Sequence, residues 1–496
     1  MLFSTLIKDL NYTVISGTPD KCRVECLCRD SREKCENGLF VCIKGARSDG
    51  HSFAKMAYDN GCRAFVATQP IELPSDAAVI LTSDTRIALA EISAAFYGYP
   101  ARDLNIIGIT GTKGKTTTSL TVYEVMNACG IPTAYIGSNG IKFNGKSFPT
   151  VNTTPESAEL HRRMRIMVDS GIKYLVMEVS SQAIYMNRIH GMEFKTVAFT
   201  NLSVDHIGGA EHPSFEHYRD CKKKLFTDFG AENIVYNYDD SYADYMISDA
   251  VCEKKIGCSA NGNKSADVYA EKIESKRLKS SLSVLFEMTS GGKITKVSLP
   301  MPGKFSVSNA ILATAICKTA GLDESIIAEK LSFVRAEGRF ETVSSPCGAL
   351  FIIDYAHNGA SLTAALNTIR EFSPARLYCL FGSVGGRTEG RRRELGEVAS
   401  ALADFCIITS DNPDFEDPQK IIDDISACFT EKGSCSYVTI PDRREAIRFA
   451  VANAKPDDVV LLAGKGHENY QLICGQKLSF SERDVLEEAI SALATV

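Results

Sequence analysis

The chain is marked first by what it lacks. It has no tryptophan and no uninterrupted run of 18 or more apolar residues, so no membrane-spanning helix is expected. Its start, MLFSTLIKDLNY, has neither a basic leader nor a long apolar core, so no secretory signal is expected. No Cys-x-x-Cys pair occurs. The 17 cysteines are an odd number and scattered, with Cys26 and Cys28 forming only a Cys-x-Cys step. Structural zinc is therefore not expected, and reduced, buried thiols are. A net charge of only -6 gives no reason to expect nucleic acid or an anionic membrane as partner. Low-complexity tracts and repeats are absent too. What remains is a soluble, globular, cytoplasmic protein, expected as a monomer.

At 496 residues the chain exceeds one ordinary core, and three segments are predicted. Residues 1–103 hold short strand-like pieces, GLFVCIKG, CRAFVATQP and AAVILTS. Residues 104–337 open on NIIGIT and continue through YLVMEVSS, TVAFTNLS and ENIVYNYDD, apolar runs spaced for crossover helices. That alternation predicts a parallel α/β sheet. SSLSVLFEM and ITKVSLPM read as a small antiparallel excursion. Residues 338–496 repeat the α/β pattern at ALFIIDYAH, RLYCLFGS, DFCIITSDNP and DVVLLAGKGHE, each strand leading directly into polar or glycine-bearing residues. Ligands of open α/β sheets bind beyond the carboxyl ends of strands, so these exits are the place to look.

GITGTKGKTTT (residues 108–118) follows a strand and opens a helix. Backbone N–H groups of such a turn and the helix N-terminus suit phosphates. Gly111, Thr112, Lys113, Gly114, Lys115, Thr116 and Thr117 are the predicted ATP contacts. Lys115 would neutralise β/γ oxygens, and the Thr116 hydroxyl would face Mg²⁺. The spacing departs from the usual Walker pattern, since position 109 is isoleucine and the glycines stand at 108 and 111.

TGTKGKTT, EVSSQAIYMNRI, TNLSVDH, GRFE, DYAHN and AGKGHENYQ, in that order, resemble the Mur ligases, and within them the MurE type. The resemblance covers nearly the whole chain, including DSR…GLFVCIKG…DGH near the start. It implies a uridine-nucleotide-binding domain, a P-loop ATP-binding central domain with a parallel sheet, and a Rossmann-like C-terminal domain that closes over the site. It also implies the reaction: ATP phosphorylates the D-Glu carboxylate of UDP-MurNAc-L-Ala-D-Glu, and the amine of a free amino acid attacks the acyl phosphate. Two anions must meet in that step, so cations and positioning carry the catalysis. The resemblance assigns catalytic and metal roles to Lys115, Glu178, His206 and Lys222, the last as N6-carboxylysine, although a solvated run is the alternative for three successive lysines. Ser31, Thr153, Thr154, Ser180 and Arg188 would face the UDP-MurNAc-dipeptide. Asn309 would contact adenine, and Arg339, Asp354 and His357 would approach ATP.

Some positions depart from the family pattern. The segment after His206 reads IGGAEHPSFEHY in place of Leu-Asp and a His-Gly, the usual asparagine of the phosphate loop is Lys113, and FGSVGGRTEG keeps Arg387 but not the usual acids. A loop reading Asp-Asn-Pro-Arg accompanies meso-diaminopimelate in this family; here it reads Asp411-Asn412-Pro413-Asp414. A carboxylate at 414 would repel the distal carboxylate of diaminopimelate and attract a distal ammonium. The expected amino acid is therefore L-lysine or another basic diamino acid. Arg387 and Asn412 would hold its α-carboxylate, and Asp411, Gly464 and Glu468 would sit nearby. The rival readings are a meso-diaminopimelate-adding enzyme, a folylpolyglutamate-type ligase, and a non-catalytic nucleotide-binding paralogue.

Overall fold

Apolar runs bounded by glycine and polar turns suit strands buried on both faces. The computed structural model, which describes residues 1–45, 48–205, 207–208, 211–278, 281–335, 338–386, 389–430 and 435–494, forms strands at the runs named above. The chain divides into two compact units, one of residues 1–259, 263–268 and 312–323, the other of residues 260–262, 269–311 and 324–496.

The first unit holds two sheets. The N-terminal one has the strand order Thr13–Ser16, Ala78–Leu81, Cys62–Ala67, Gly38–Val41, Cys26–Cys28. Its two faces carry separate apolar clusters, Leu39, Val41, Ala64 and Val66 on one and Phe40, Cys42 and Phe65 on the other, following the period of two, while a register shift between Cys62 and Ala64 places Cys62 with the second cluster. The central sheet is parallel over Lys254–Ser259, Ala231–Asn237, Phe194–Phe199, Asn105–Thr110, Tyr174–Glu178 and Thr133–Gly137, with two short antiparallel strands at its edge. Asn105–Thr110 comes first in sequence yet lies between Tyr174–Glu178 and Phe194–Phe199. Strand order reverses there, which opens a crevice at the carboxyl ends of these three strands.

The second unit contains the antiparallel pair Ser281–Ser290 and Lys293–Leu299 and a six-stranded sheet. The latter runs Glu341–Ser344, Leu350–Asp354, Val459–Ala463, Leu377–Phe381, Phe405–Ile408, Ser436–Thr439, parallel except for its first, edge strand. Val459–Ala463, last of the parallel strands in sequence, inserts between the first two, so Asp354, Gly464 and the 409–414 segment leave the sheet at one end.

One expectation is corrected. The thiols are not all reduced: Cys26 is bonded to Cys35, because the turn between the first two parallel strands brings residue 35 back over residue 26. Among the described residues, no helix is long and apolar enough to cross a membrane.

Candidate active site

The phosphate loop has the conformation its glycines permit. Gly111 has φ +147° and Gly114, which precedes the helix Lys115–Ala128, has φ +81°. A Cβ at Gly111 would lie 2.0 Å from Thr200 Oγ1, so only glycine fits there. Asn201 holds the loop from the neighbouring strand: its carbonyl accepts from Thr112 N (2.8 Å), its Oδ1 from Lys113 N (2.9 Å), and its Nδ2 donates to the Lys113 carbonyl (3.0 Å). Lys115 Nζ curls over the loop onto the carbonyls of Gly111 (2.8 Å) and Thr112 (3.1 Å). Thr117 is half-buried in the first helical turn. Lys113, the departure from the family asparagine, pairs with Asp205 at 3.0 Å.

Glu178 ends the strand Tyr174–Glu178 and is fully buried. Its Oε2 accepts from Thr116 Oγ1 (3.0 Å) and Ser138 Oγ (3.3 Å), and its Oε1 from Tyr135 Oη (2.6 Å) and Ser138 N (2.9 Å). These donors fix the carboxylate at the head of the helix that carries Thr116. A hydroxyl and a carboxylate 3.0 Å apart beside a phosphate loop are hard oxygen donors that suit Mg²⁺ rather than a softer ion.

Lys222 reaches the same place from the helix Phe215–Thr227. Its side chain is buried, donates to the Gly111 carbonyl at 2.9 Å, and lies 4.4 Å from the centre of the Tyr218 ring. Burial, reinforced by the nearby positive charge of Lys115, pushes its ammonium well below the ordinary lysine range. Lys223 and Lys224, its neighbours in the lysine run, differ: Lys223 pairs with Asp249 near the surface, and Lys224 is exposed.

The residues assigned to the nucleotide-sugar substrate form a second group that joins the first. Thr154 Oγ1 donates to the Glu178 carbonyl (2.8 Å) and accepts from Ser180 N (3.1 Å). Arg188 donates to the Thr154 carbonyl (3.1 Å) and pairs with Glu156 at 2.7 Å. Thr153 Oγ1 lies 3.1 Å from Ser138 Oγ, so Ser138 connects this group to the Glu178 carboxylate. Ser31 lines a cavity of about 790 Å³ together with Arg32, Phe40, Met56, Arg86, Asn152 and Glu156. That cavity is shared by the N-terminal sheet and the 149–159 segment.

In the second unit the strand ends form a separate polar cluster. Lys465 is fully buried, and its Nζ lies 3.0 Å from Asn412 Oδ1, 3.0 Å from Glu468 Oε2 and 3.4 Å from Asp411 Oδ1. Asn412 Nδ2 also donates to Glu468 Oε2 (2.9 Å). Gly464 has φ +114°, and a Cβ there would meet Asp411 Oδ2 at 2.9 Å. A buried pair, Arg443 and Glu482, supports both strand exits, with Arg443 donating to the carbonyls of Ser410 (3.1 Å) and Ala463 (2.8 Å). Arg339, Asp354 and His357 gather around Tyr355. The Arg339 guanidinium lies 4.7 Å from its ring centre, and His357 Nδ1 donates to its carbonyl at 2.8 Å. The Asp354 Oδ2 atom accepts from Phe340 N, and burial raises its carboxyl above the ordinary range against the nearby Arg339 charge. Asn309 is buried on the helix Lys304–Thr319.

Each acid of the 411–417 loop has a local partner. Asp411 faces Lys465, Glu416 makes a two-pronged pair with Arg392, and Asp417 caps the helix Pro418–Ser426. Asp414, half-buried at φ +53°, accepts from Gly475 N at 2.7 Å and so ties the loop to the hairpin Tyr470–Ile473/Gln476–Ser479. His206 and Arg387 lie outside the described residues.

The sequence reading missed Tyr135, Ser138, Asn201, Arg443 and Lys465. Asn201 and Lys465 stand inside the quoted TNLSVDH and AGKGHENYQ strings, so those strings carried a signal. Nothing in the sequence couples Tyr135 or Ser138 to residue 178.

Comparison with known proteins agrees along the chain. Three family models match: "Mur ligase family, catalytic domain" over residues 23–97, "Mur ligase middle domain" over 109–317, and "Mur ligase, glutamate ligase domain" over 338–466. A protein of Geobacillus thermodenitrificans named UDP-N-acetylmuramoyl-L-alanyl-D-glutamate--2,6-diaminopimelate ligase is 38% identical, with 96% of each chain covered. One of the same name from Clostridium botulinum is 38% identical over 99% of this chain and 100% of its own. A solved structure with that name superposes with a TM-score of 0.70 at 27% identity, covering 100% of this chain and 99% of the other.

Proposed function

The chain belongs to the Mur ligase family, and from that premise we propose that it joins an amino acid to UDP-MurNAc-L-Ala-D-Glu at the expense of ATP, a step of peptidoglycan precursor synthesis. The observation that carries this reading is the convergence of Lys115, Thr116, Glu178 and Lys222 on one buried patch at the phosphate loop, with Ser138 linking that patch to Thr153. In this reading the γ-phosphoryl group passes from ATP to the D-Glu carboxylate, giving ADP and an acyl phosphate. The amino acid's amine then attacks the acyl carbon, phosphate leaves, and a peptide bond forms.

Gly111 to Gly114 and the helix N-terminus present backbone donors to the phosphates, and Lys115 leaves its two carbonyl acceptors to follow them. Thr116 and Glu178 would hold Mg²⁺, which when bound offsets charge on the phosphoryl oxygens. The buried amine of Lys222, whose ammonium form is disfavoured there, would attack CO₂, give up a proton and become a carbamate that offers a carboxylate-like oxygen at the phosphate loop. His206 joins this set on the resemblance alone. Thr154, Ser180 and Arg188 would orient the peptide arm, Ser31 the uridine end. Arg339, Asp354, His357 and Asn309 are proposed to serve the nucleotide. The protein is proposed to work in the cytoplasm as a monomer.

For the incoming amino acid, the Asp411–Asn412–Lys465–Glu468 cluster and Gly464 supply donors and acceptors for an α-amino acid, with Arg387 added by resemblance. Asp414 supports a substrate with a distal ammonium, L-lysine first. The names of the relatives favour 2,6-diaminopimelate instead. The test is phosphate release from ATP and Mg²⁺, with UDP-MurNAc-dipeptide and each amino acid added singly and together. Release that requires both substrates is the expected result. Release without the muropeptide, or none at all, would sink the ligase reading, and efficient use of diaminopimelate over lysine would sink the lysine assignment.

A further inference from the structure

The N-terminal sheet gathers the sulfurs of Cys26, Cys28 and Cys35 with that of Cys62 from a later strand. Its strands Cys26–Cys28, Gly38–Val41 and Cys62–Ala67 are adjacent and parallel, with Cys26 opposite Gly38 and Gly38 opposite Cys62. Cys26, Gly38 and Cys62 thus form one row across three strands, and the residue at its centre has no side chain. Cys26 and Cys28, two apart on a strand, project to one face, where both pack against the cluster that contains Cys35 and Cys62. Cys35 fills the space above the glycine. A Cβ at residue 38 would stand 2.6 Å from Cys35 Sγ and 2.9 Å from Cys62 Sγ. The sulfurs of Cys28, Cys35 and Cys62 lie within 4.8 Å of one another, and Cys35 is bonded to Cys26.

We propose that Cys26, Cys28, Cys35 and Cys62, in the reduced protein, form a thiolate site for a thiophilic divalent cation, with zinc as the probe. The Cys26–Cys35 bond is then the oxidised, cation-free form of the same site. Zinc–thiolate bonds of about 2.3 Å in a tetrahedron place sulfurs about 3.8 Å apart, inside the 4.8 Å within which the sulfurs of Cys28, Cys35 and Cys62 already lie. Separating Cys26 from Cys35 takes two electrons and two protons, which a dithiol reductant supplies as it becomes a disulfide. Zinc binding then displaces the thiol protons. Cys62 is fully buried and Cys35 nearly so, which keeps water from competing for the cation, while Cys28 borders the cavity that Ser31 lines and gives a route in. No other use of these four residues is needed for the ligation chemistry. The site is a separate property of the uridine-side domain.

The test uses the full chain, reduced by a dithiol without oxygen, freed of reductant, and exposed to zinc in excess Mg²⁺. One equivalent of zinc retained after desalting, and a thiolate-to-metal charge-transfer band with Co²⁺ in its place, are the expected results. Cys28→Ser and Cys62→Ser should each weaken binding by about a hundredfold or more, whereas Cys221→Ser, altering a thiol beside His217 in the central domain, should not. Mild oxidation should release the metal and remove two titratable thiols. The proposal is overturned if the reduced wild-type chain retains no zinc, if it still titrates two thiols short of 17 after dithiol treatment, or if zinc is lost with Cys221→Ser. The wild-type measurements hold whether or not the variants fold.

Discussion

Lys222 Nζ donates to the Gly111 carbonyl at 2.9 Å, joining a helix to the phosphate loop across 111 positions of chain. Burial and the Lys115 charge disfavour its ammonium form, and we expect the amine to carry CO₂ as a carbamate. Lys222→Ala should lower kcat by roughly a hundredfold or more, with part of the loss restored by a short carboxylate such as acetate. Stripping CO₂ and bicarbonate should slow the wild type and leave the variant unchanged. Full activity of Lys222→Ala would remove the lysine from the site.

Gly111→Ala should act on both binding and folding. Its methyl would lie 2.0 Å from Thr200 Oγ1 on a backbone at φ +147°, where side chains are strained. A loss of about 1–3 kcal/mol of stability is expected, together with weaker ADP binding in calorimetry. Unchanged ADP affinity and Tm would show that the loop tolerates the side chain.

His161 gives the fold a pH dependence. It is buried, neither ring nitrogen has a hydrogen-bond partner, and burial depresses its pKa to about 4. The unfolded chain, with an ordinary value near 6.5, binds the proton more readily between those two values. Stability should therefore be complete above about pH 6.5 and fall toward pH 4, by up to about 3 kcal/mol from this residue. Urea unfolding of wild type and His161→Leu across that window should show a shallower slope in the variant. Equal slopes would refute the assignment.

Lys465→Met should be severe. It removes a fully buried cation and leaves Asp411, Asn412 and Glu468 facing one another. Breaking such a set costs about 3–5 kcal/mol, and KM for the amino acid should rise while KM for ATP is little altered. A variant as stable as wild type would mean the cluster relaxes around the gap.

Asp414 is tested by two substitutions. Asp414→Asn keeps an oxygen for the Gly475 N–H and removes only the charge. Asp414→Arg reverses the charge. If the charge selects the amino acid, the lysine-to-diaminopimelate ratio of kcat/KM should fall with both, and by about tenfold or more with arginine, equivalent to about 1.4 kcal/mol. If only the turn matters, asparagine should leave the ratio untouched.

Much of this was readable from local pattern. The phosphate loop follows from glycines at a strand–helix junction, and the strands named from apolar runs are present where expected. Less legible were short or amphipathic strands such as Gly140–Phe143, Lys146–Phe148 and the Tyr470–Ile473 hairpin, whose residues lack a continuous apolar run. The acidic loop was legible as acidic but not in its use. Glu416 and Asp417 are occupied by Arg392 and a helix N-terminus, partners that sequence spacing does not announce.

The sequence by itself determined the family, the α/β character of the chain and the glycine-bearing strand–helix loop, because strand periodicity, glycine geometry and ordered motifs are local properties. Only the tertiary structure decided what those residues meet. Ser138 joins Thr153 to Glu178, Lys222 is buried against the Gly111 carbonyl, and the sulfurs of Cys28, Cys35 and Cys62 come together, two of them over Gly38. Each of these depends on strand order and burial. Both are set by long-range pairing, which brings together residues from different strands and removes the water that would otherwise hold their charges apart.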